Sequence, residues 1–217
     1  MTTKKDFDSI IFDLDGTLCD LSLAMAYAYN QVYKKFNIDR TITDSYIRYL
    51  LSLPCSEYKE ALLEGVPEDI HEIILPYFAE YANDSCKNFS DAALYPDIPQ
   101  GIKKLATKYK LFIVSNCGTN YLNLFLETAS IGKCFTDALC HGTNFKSKAE
   151  NIRLIIERHN LLSPCYIGDS PSDEIACLTA KVDFFFAGYG ACYREGISNS
   201  PSFENFAVLV NYFMEEL

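Results

Sequence analysis

The sequence has 217 residues, of which 49% are hydrophobic and 22% charged, as in ordinary globular proteins that bury a full core. Its formal net charge of −10 argues against general binding to the nucleic-acid backbone, which rewards basic surfaces. An anionic substrate would have to be drawn in by a local positive group or a bound cation. Nucleic acid is therefore not an expected partner, and small molecules remain open.

Nine cysteines are scattered along the chain, and none has the Cys-x-x-Cys spacing of zinc ribbons. Several lie among apolar or small residues, where a thiol behaves as a small hydrophobe: Cys117, Cys134, Cys140, Cys165 and Cys177. The apolar run at Ile10 is short and is broken by Asp13, so it does not resemble a secretory leader. No stretch approaches the roughly 20 apolar residues that cross a membrane. We expect a reducing, cytoplasmic location and no membrane partner.

Residues 9–14 form an apolar run rich in Ile and Phe that predicts a short buried strand. The next 70 residues favour helices and contain no convincing strand, with apolar residues spaced by three and four. In this segment Asp44 or Ser45 is the expected cap of the second helix, and Pro54 is an expected break. The helices predicted here are 21–36, 43–53, 56–63, 65–74 and 77–89.

From Leu94 onwards, predicted strands alternate with predicted helices. The strands are 111–114, 138–140, 165–167 and 183–187, and the helices are 102–109, 120–129, 149–160, 173–180 and 203–216. Strands separated by helices form a parallel sheet through right-handed crossovers. The sequence therefore predicts an α/β fold, with a Rossmann-like parallel core of residues 1–18 and 92–217. Residues 19–91 are the predicted helical insert after the first strand.

Polar side chains follow three of the predicted strands. Asp13 and Asp15 end the first strand on the same side, and Gly16 lets the chain turn away above them. Ser115 and Asn116 end the second, and the segment 169–173 follows another. Each group alone is typical of an ordinary turn or helix cap. Because ligands of open α/β sheets bind beyond the carboxyl ends of the strands, the three groups together indicate a cation and a phosphate.

The electrostatics of that edge require positive charge. Two like charges about 4 Å apart repel by roughly 4 kcal/mol at an effective dielectric constant near 20. A phosphate dianion facing Asp13, Asp169 and Asp173 would meet this penalty several times. One divalent ion and one lysine are the minimum that would reverse its sign.

These motifs together resemble the haloacid dehalogenase superfamily over most of the chain. Asp13-Leu14-Asp15-Gly16-Thr17 matches the family's first motif, Asp-x-Asp-Gly-Thr, and Ser115 matches its second. The segment from Gly168 to Asp173 matches the fourth motif, Gly-Asp-x-x-x-Asp. Lys146 and Lys148 compete for the lysine of the third motif. We prefer Lys148, because Lys148-Ala149-Glu150 is similar to the Lys-Ala-Glu form of phosphatase branches.

The resemblance implies a mechanism. Asp13 would attack phosphorus to give an aspartyl-phosphate, and Asp15 would protonate the leaving alcohol and then deprotonate water. Mg²⁺ would bind Asp13, the Asp15 backbone carbonyl and Asp169, with Asp173 contributing through the second shell or through water. The residues implied in binding the phosphate are Ser115, Asn116, Lys148, Gly16 and Thr17. Dehalogenase members lack an acid at the position of Asp15, so its presence favours phosphoryl chemistry.

The helical insert matches the position of the family's cap domain, and its length resembles the phosphoglycolate-phosphatase-like branch. Gly188-Tyr189-Gly190 also resembles a segment of that branch, although Ala187 stands where the branch has Trp. The expected function is a Mg²⁺-dependent phosphatase of small phosphorylated metabolites. Two alternatives stay open: a phosphotransferase or sugar-phosphate mutase of the same superfamily, and a non-catalytic binding protein on this fold. The particular substrate and the oligomeric state are not predicted.

Overall fold

The predicted strands join one six-stranded sheet in a computed structural model that describes residues 6–53, 55–87, 90–190 and 200–215. The strands are β1 (Ser9–Phe12), β2 (Lys110–Ser115), β3 (Phe135–Cys140), β4 (Pro164–Gly168), β5 (Asp183–Ala187) and β6 (Ser202–Phe203). All neighbours pair in parallel, in the order β3-β2-β1-β4-β5-β6. The predicted α/β, Rossmann-like class is therefore confirmed. The strand order reverses at β1 and β4, where the crevice of a doubly wound sheet opens.

Both faces of the sheet are buried, which explains why its strands are continuous apolar runs rather than alternating ones. Ile10 and Phe12 point into one core, and Ile11 points into the other. The first core contains residues of α5 (Ile98–Leu105), α6 (Thr119–Thr128) and α10 (Phe206–Met214). The second contains residues of α8 (Lys148–His159) and α9 (Pro171–Ala180), and a short α7 (His141–Asn144) follows β3.

The first four helices after β1 form a third core of their own. They are α1 (Ser22–Lys35), α2 (Asp44–Ser52), α3 (Cys55–Leu63) and α4 (His71–Cys86). Phe78 of α4 packs edge-on against Tyr29 and Tyr33 of α1, with ring centroids 5.1 Å apart in both pairs. The Tyr33 hydroxyl donates to the Leu62 carbonyl at 2.7 Å, which satisfies its polar end inside this core.

Two helices differ from their predicted bounds because of proline. The predicted helices 65–74 and 77–89 are one continuous α4 that contains Pro76 and follows a 3₁₀ turn at Glu68–Ile70. Buried Ile74 and Phe78 on either side of Pro76 pack into the same core, and this packing keeps the helix continuous. Helix α5 begins at Ile98 rather than at residue 102, because Pro99 lies in the first turn, where a helix needs no N–H donor.

Smaller differences occur at the ends of the chain's elements. β1 ends at Phe12 rather than at residue 14, and the last helix begins at Phe206 because Ser202–Phe203 pairs with β5. The predicted break at Pro54 and the predicted helix ends at Phe89 and Glu216 lie outside the described residues. Within the described part of the chain, no helix has both the length and the apolar character needed to cross a bilayer.

Candidate active site

The loop after β1 places its side chains by tight backbone hydrogen bonding. Asp13 N–H continues the ladder to the Ile167 carbonyl at 2.9 Å, and Gly16 N–H donates to the Cys19 carbonyl at 2.8 Å. Gly16 has φ +83°, and a Cβ atom there would overlap the carboxylate of Asp169. Only glycine combines this conformation with so close an approach to a neighbouring side chain. The first motif and β4 are therefore packed directly against each other.

Three buried carboxylates from two strand ends and one helix meet at this edge: Asp13, Asp169 and Asp173. One oxygen from each lies within 4.8 Å of the others. Asp13 and Asp169 are therefore close enough to ligate one cation, which the predicted metal site requires. Buried like charges this close require compensation by positive groups.

Lys148 supplies positive charge to the cluster. Its helix begins with a capping box, in which Ser147 Oγ accepts from Glu150 N–H at 3.3 Å and Ser147 N–H donates to Glu150 Oε2 at 2.8 Å. The Lys148 side chain is 7% exposed, and its Nζ lies 3.0 Å from Asp13 Oδ1 and 2.5 Å from Asp173 Oδ1. Burial lowers the pKa of Lys148, but the two carboxylates outweigh it and hold the pKa above its usual value.

The competing lysine of the third motif lies elsewhere. The Lys146 backbone carbonyl is 3.0 Å from His141 Nδ1, and the residue is exposed. The Lys146 side chain is not among those that meet the carboxylates or line the neighbouring cavity. The geometry therefore favours Lys148 as the lysine of the third motif.

Asp173 is held by protein contacts on both of its oxygens. Oδ1 accepts from Lys148, and Oδ2 accepts from Ser170 Oγ at 2.7 Å, Ser170 N–H at 3.0 Å and Asp169 N–H at 3.2 Å. Ser170 and Asp173 form the capping box of α9. These contacts favour the indirect role for Asp173, which would orient Lys148 and the loop that carries Asp169.

Asp15 lies beside the cluster in a different environment. The Tyr121 hydroxyl donates to Asp15 Oδ1 at 2.8 Å and lies 3.1 Å from Cys19 Sγ. Burial raises the pKa of Asp15 to about 7, against the lowering effect of the bond from Tyr121. A carboxyl group with a pKa near neutrality is suited to give and take a proton. Tyr121 was not singled out from the sequence, because inside a predicted helix it is indistinguishable from a packing residue.

The pKa of Asp13 is raised less than burial alone would raise it. Burial raises the pKa of Asp13 to about 6, and the Lys148 ammonium opposes this rise while Asp173 adds to it. Asp13 Oδ1 is an ion-pair partner of Lys148, yet within the described part of the chain it accepts no well-aligned hydrogen bond. A buried carboxylate oxygen left in this state is prepared for a further positive partner.

A cavity of about 320 Å³ opens above these groups. Its reacting end is formed by Asp13, Asp15, Ser115, Asn116 and Lys148. Ser115 is buried at the end of β2, where its Oγ accepts from Cys117 N–H at 3.4 Å. The far wall comes from the four helices of the third core and the end of α2: Met25, Tyr29, Leu51, Leu53, Tyr58, Ala79, Ala82 and Asn83.

Two residues predicted to bind the phosphate have other contacts. Thr17 is fully buried, and its hydroxyl donates to Asp169 Oδ1 at 3.2 Å. Gly16 packs against the same carboxylate, and neither residue lines the cavity. That Gly16 and Thr17 bind the phosphate stays a prediction, and the contacts that the structure shows for both residues are with Asp169. These contacts position a candidate metal ligand.

The donor set fits a hard divalent cation. Carboxylate oxygens are the ligands that Mg²⁺, Ca²⁺ and Mn²⁺ prefer, and Asp13 and Asp169 provide them from two strand ends. The cluster of three does not include the Asp15 carboxylate. Any contribution of Asp15 to a metal would therefore come from its backbone carbonyl, as the first motif implies.

Comparisons with known proteins agree with this geometry. The family model described as haloacid dehalogenase-like hydrolase matches residues 10–187. A phosphoglycolate phosphatase of Colwellia psychrerythraea is 25% identical over 203 residues, which cover 87% of this chain and 88% of that protein. A phosphoglycolate phosphatase of Vibrio parahaemolyticus is 26% identical over 215 residues, which cover 93% and 92%.

Solved structures show the same fold. A haloacid dehalogenase-like hydrolase from Streptococcus pneumoniae superposes with a TM-score of 0.82 at 18% identity, covering 96% of this chain and 99% of that one. A predicted phosphoglycolate phosphatase from Haemophilus somnus gives 0.80 at 20% identity, covering 94% and 97%. With the family model matching most of its length, the chain belongs to the haloacid dehalogenase-like hydrolase family and is a phosphatase-type enzyme of that family.

Proposed function

We propose that this enzyme is a Mg²⁺-dependent phosphatase that hydrolyses small phosphate monoesters through an aspartyl-phosphate on Asp13. The observation that carries the proposal is the convergence of a nucleophile, a proton donor and a buried cation at one end of a single cavity. Asp13 and Asp15 come from the loop after β1 and Lys148 from the start of α8, and all three border that cavity. An apolar set of residues would stabilise the fold at this position without the desolvation cost of buried charges. A group of ionisable residues gathered in a cavity therefore supports a functional role.

Asp13 is the nucleophile in this proposal. Lys148 Nζ, 3.0 Å away, keeps the carboxylate ionised despite its burial, so that an oxygen is available to attack phosphorus. Lys148 also faces the transferring phosphoryl group, together with Ser115 and Asn116 at the end of β2. Stabilisation of the charge that develops on the phosphoryl oxygens is the largest expected contribution to the rate.

Asp15 donates a proton in the first step of the proposed reaction and accepts one in the second. In the first step its carboxyl proton passes to the leaving alcohol as the phosphorus–oxygen bond breaks, because an alkoxide is a poor leaving group. In the second step the Asp15 carboxylate takes a proton from the water that attacks the aspartyl-phosphate. The hydrogen bond from Tyr121 fixes the direction of the Asp15 side chain through both steps.

Mg²⁺ would be held by Asp13, Asp169 and the Asp15 backbone carbonyl, with Asp173 acting through water. When bound, it would neutralise negative charge on the phosphate and the carboxylates. Thr17 and Gly16 keep Asp169 in place for this purpose. The all-oxygen donor set supports a hard cation of this type.

Residues 19–91 form a cap over the core of 1–18 and 92–217 in this proposal, because their helices have a separate core and supply the far wall of the cavity. A cap of this kind would exclude water and select the leaving group. The cysteines that the structure describes are all free thiols, which supports the proposal of a reducing, cytoplasmic location.

The test is hydrolysis of p-nitrophenyl phosphate with Mg²⁺ and with excess chelator. We expect release of inorganic phosphate that requires the metal, and a covalent phosphate on Asp13 in acid-quenched protein. Full activity in excess chelator would contradict the proposal. Transfer of the phosphoryl group to a sugar monophosphate, without release of inorganic phosphate, would instead indicate the phosphotransferase alternative.

A further inference from the structure

The far wall of the cavity faces the leaving group of any phosphate bound at Asp13. Its described residues are apolar or uncharged: Met25, Tyr29, Leu51, Leu53, Tyr58, Ala79, Ala82 and Asn83. Among the described residues that line the whole cavity, Lys148 is the one cation. Among the described residues of this wall, a leaving group therefore meets hydrocarbon, phenol and amide groups and no positive charge.

The Lys148 ammonium group is already paired with carboxylates at the reacting end of the cavity. It pairs with Asp13 and Asp173, so its charge is shared between two carboxylates before any substrate arrives. If a divalent cation bound at the cluster of Asp13, Asp169 and Asp173, the positive charges of the ion and Lys148 would together equal the negative charges of the three carboxylates. The phosphate dianion then makes the site negative, and a second anion on the substrate would be repelled.

The arginines of the helical segment are directed elsewhere. Arg48 pairs with Asp20 and Asp44 at 2.9 Å each. Arg40 donates to the carbonyls of Ala61, Leu62 and Glu64, and it pairs with the Glu64 carboxylate. Neither arginine lines the cavity. Moving either one to the leaving group would break these ion pairs and hydrogen bonds.

The polar groups on the far wall suit an uncharged partner. The hydroxyls of Tyr29 and Tyr58 lie 2.6 Å apart and form a hydrogen-bonded pair at the cavity surface. Phenol hydroxyls and the Asn83 amide donate and accept hydrogen bonds without carrying charge. Together with Leu51 and Leu53 they match an alcohol that has apolar carbon and a hydroxyl or carbonyl group.

On the basis of the proposed phosphatase function, we propose that this enzyme selects small monoesters whose leaving alcohol is uncharged, and that it discriminates against phosphorylated carboxylic acids such as phosphoglycolate. The volume of about 320 Å³ lies at the low end of the range for ligand pockets, roughly 300–1,000 Å³, which limits the alcohol to a few carbon atoms. The preferred substrate in this proposal therefore lacks the carboxylate of phosphoglycolate, the substrate stated in the relatives' names.

The first test compares two ligands that differ at one group, 2-hydroxyethyl phosphate and 2-phosphoglycolate. Their Kd values are measured by calorimetry on the full-length Asp13→Asn variant with Mg²⁺, which binds without turnover. We expect 2-hydroxyethyl phosphate to bind at least about tenfold more tightly, a difference of about 1.4 kcal/mol. Tighter binding of 2-phosphoglycolate, equal binding, or binding of neither ligand would overturn the inference.

The second test places a cation on the far wall. Asn83 lies on α4 and is partly buried at the cavity surface. Asn83→Lys should raise the ratio of kcat/KM for 2-phosphoglycolate over 2-hydroxyethyl phosphate by at least about tenfold, mainly through KM. The matched variant Asn83→Gln, which changes length without charge, should leave that ratio within a factor of about three. An unchanged ratio in Asn83→Lys would mean that this wall does not face the leaving group.

The two proposals fail separately. If wild-type protein with Mg²⁺ hydrolyses p-nitrophenyl phosphate but prefers 2-phosphoglycolate, the phosphatase function stands and the inference on charge is wrong. If p-nitrophenyl phosphate is not hydrolysed, the proposed function is wrong. The calorimetric comparison still measures the charge preference of the cavity in that case, because it does not depend on turnover.

Discussion

Lys148 donates a 2.5 Å hydrogen bond to Asp173, and this contact joins the first turns of two helices that lie 25 residues apart in the chain. Both helices begin with capping boxes, which fix the side chains of their first turns. The same ammonium group lies 3.0 Å from Asp13 at the end of β1. One cation therefore couples Asp13, the proposed nucleophile, to the loop that carries Asp169.

Lys148→Ala should reduce both stability and activity. It removes the positive charge between two buried carboxylates, and breaking a buried pair costs about 3–5 kcal/mol. Activity on p-nitrophenyl phosphate should fall by about 10²–10³-fold, as when one donor to a developing charge is removed. Denaturant melts and steady-state kinetics measure the two effects. Lys146→Ala is the matched control and should change neither quantity; a similar loss in both variants would contradict the assignment to Lys148.

Asp13→Asn should abolish turnover and leave the fold intact. The amide keeps the size of the side chain but cannot form the acyl phosphate, and we expect a loss of at least about a thousandfold. Lys148 keeps its hydrogen bond to Asp173, so thermal unfolding should change little. Asp39→Asn, at an exposed position, is the control. Retention of more than a tenth of the activity would show that Asp13 is not the nucleophile.

Asp15→Asn should affect substrates according to their leaving groups. Alkyl phosphates need a proton on the departing alcohol, so their kcat should fall by about 10²–10⁴-fold, whereas p-nitrophenolate leaves without one. The measurement is the ratio of kcat values for 2-hydroxyethyl phosphate and p-nitrophenyl phosphate in the variant and the wild type. An equal loss on both substrates would argue against proton donation by Asp15.

Gly16→Ala and Gly65→Ala form a pair that separates strain from overlap. Both glycines have positive φ, at +83° and +75°, so either substitution adds about 1–2 kcal/mol of backbone strain. A Cβ atom on Gly65 would meet nothing within 4 Å, whereas one on Gly16 would overlap Asp169. Gly16→Ala should therefore weaken metal binding in calorimetry, and Gly65→Ala should not. Unchanged metal affinity in Gly16→Ala would show that Asp169 moves without consequence.

Stability in acid should depend on Asp20, which accepts from Ser22 N–H at 2.9 Å and pairs with Arg48. Burial raises the pKa of Asp20, but the hydrogen bonds from Ser22 and Arg48 outweigh it and hold the pKa below its usual range. A pKa lower in the folded state gives stability that is present above the unfolded value, about 3.9, and lost as the pH falls. Asp20→Asn should therefore lower Tm at pH 7, and the difference should shrink in acid; a constant difference would contradict this.

The parts of the fold that follow from local pattern were predictable. Apolar runs such as 9–14 and the helices between them predicted the α/β class, which the sheet order confirms. Boundaries were less predictable where tertiary packing overrides a local signal. Pro76 lies inside α4 because Ile74 and Phe78 are both buried in one core, and β6 forms only because β5 offers it a partner.

The candidate site was also predictable from the sequence only in part. Residue type and position relative to strand ends identified Asp13, Asp15, Ser115 and Asp169 as candidates, and the family resemblance added Lys148 in preference to Lys146. Contacts over long sequence distances were not available to that reasoning: Tyr121 on Asp15, Thr17 on Asp169, and the Tyr29–Tyr58 pair. Each of these side chains is also a normal packing residue of a helix or turn, so no local pattern marks its second role.

By itself, the sequence determined the order of strands and helices, the family resemblance and the acids that would meet at one sheet edge. These depend on periodicity and on side chains adjacent to strand ends, which are local properties of the chain. Only the tertiary structure placed Lys148 rather than Lys146 beside Asp13, directed Gly16 and Thr17 to Asp169, and gathered the uncharged side chains described for the far wall. Those outcomes depend on how separate elements pack, because a side chain's partner across 20 to 150 residues is set by the assembled core.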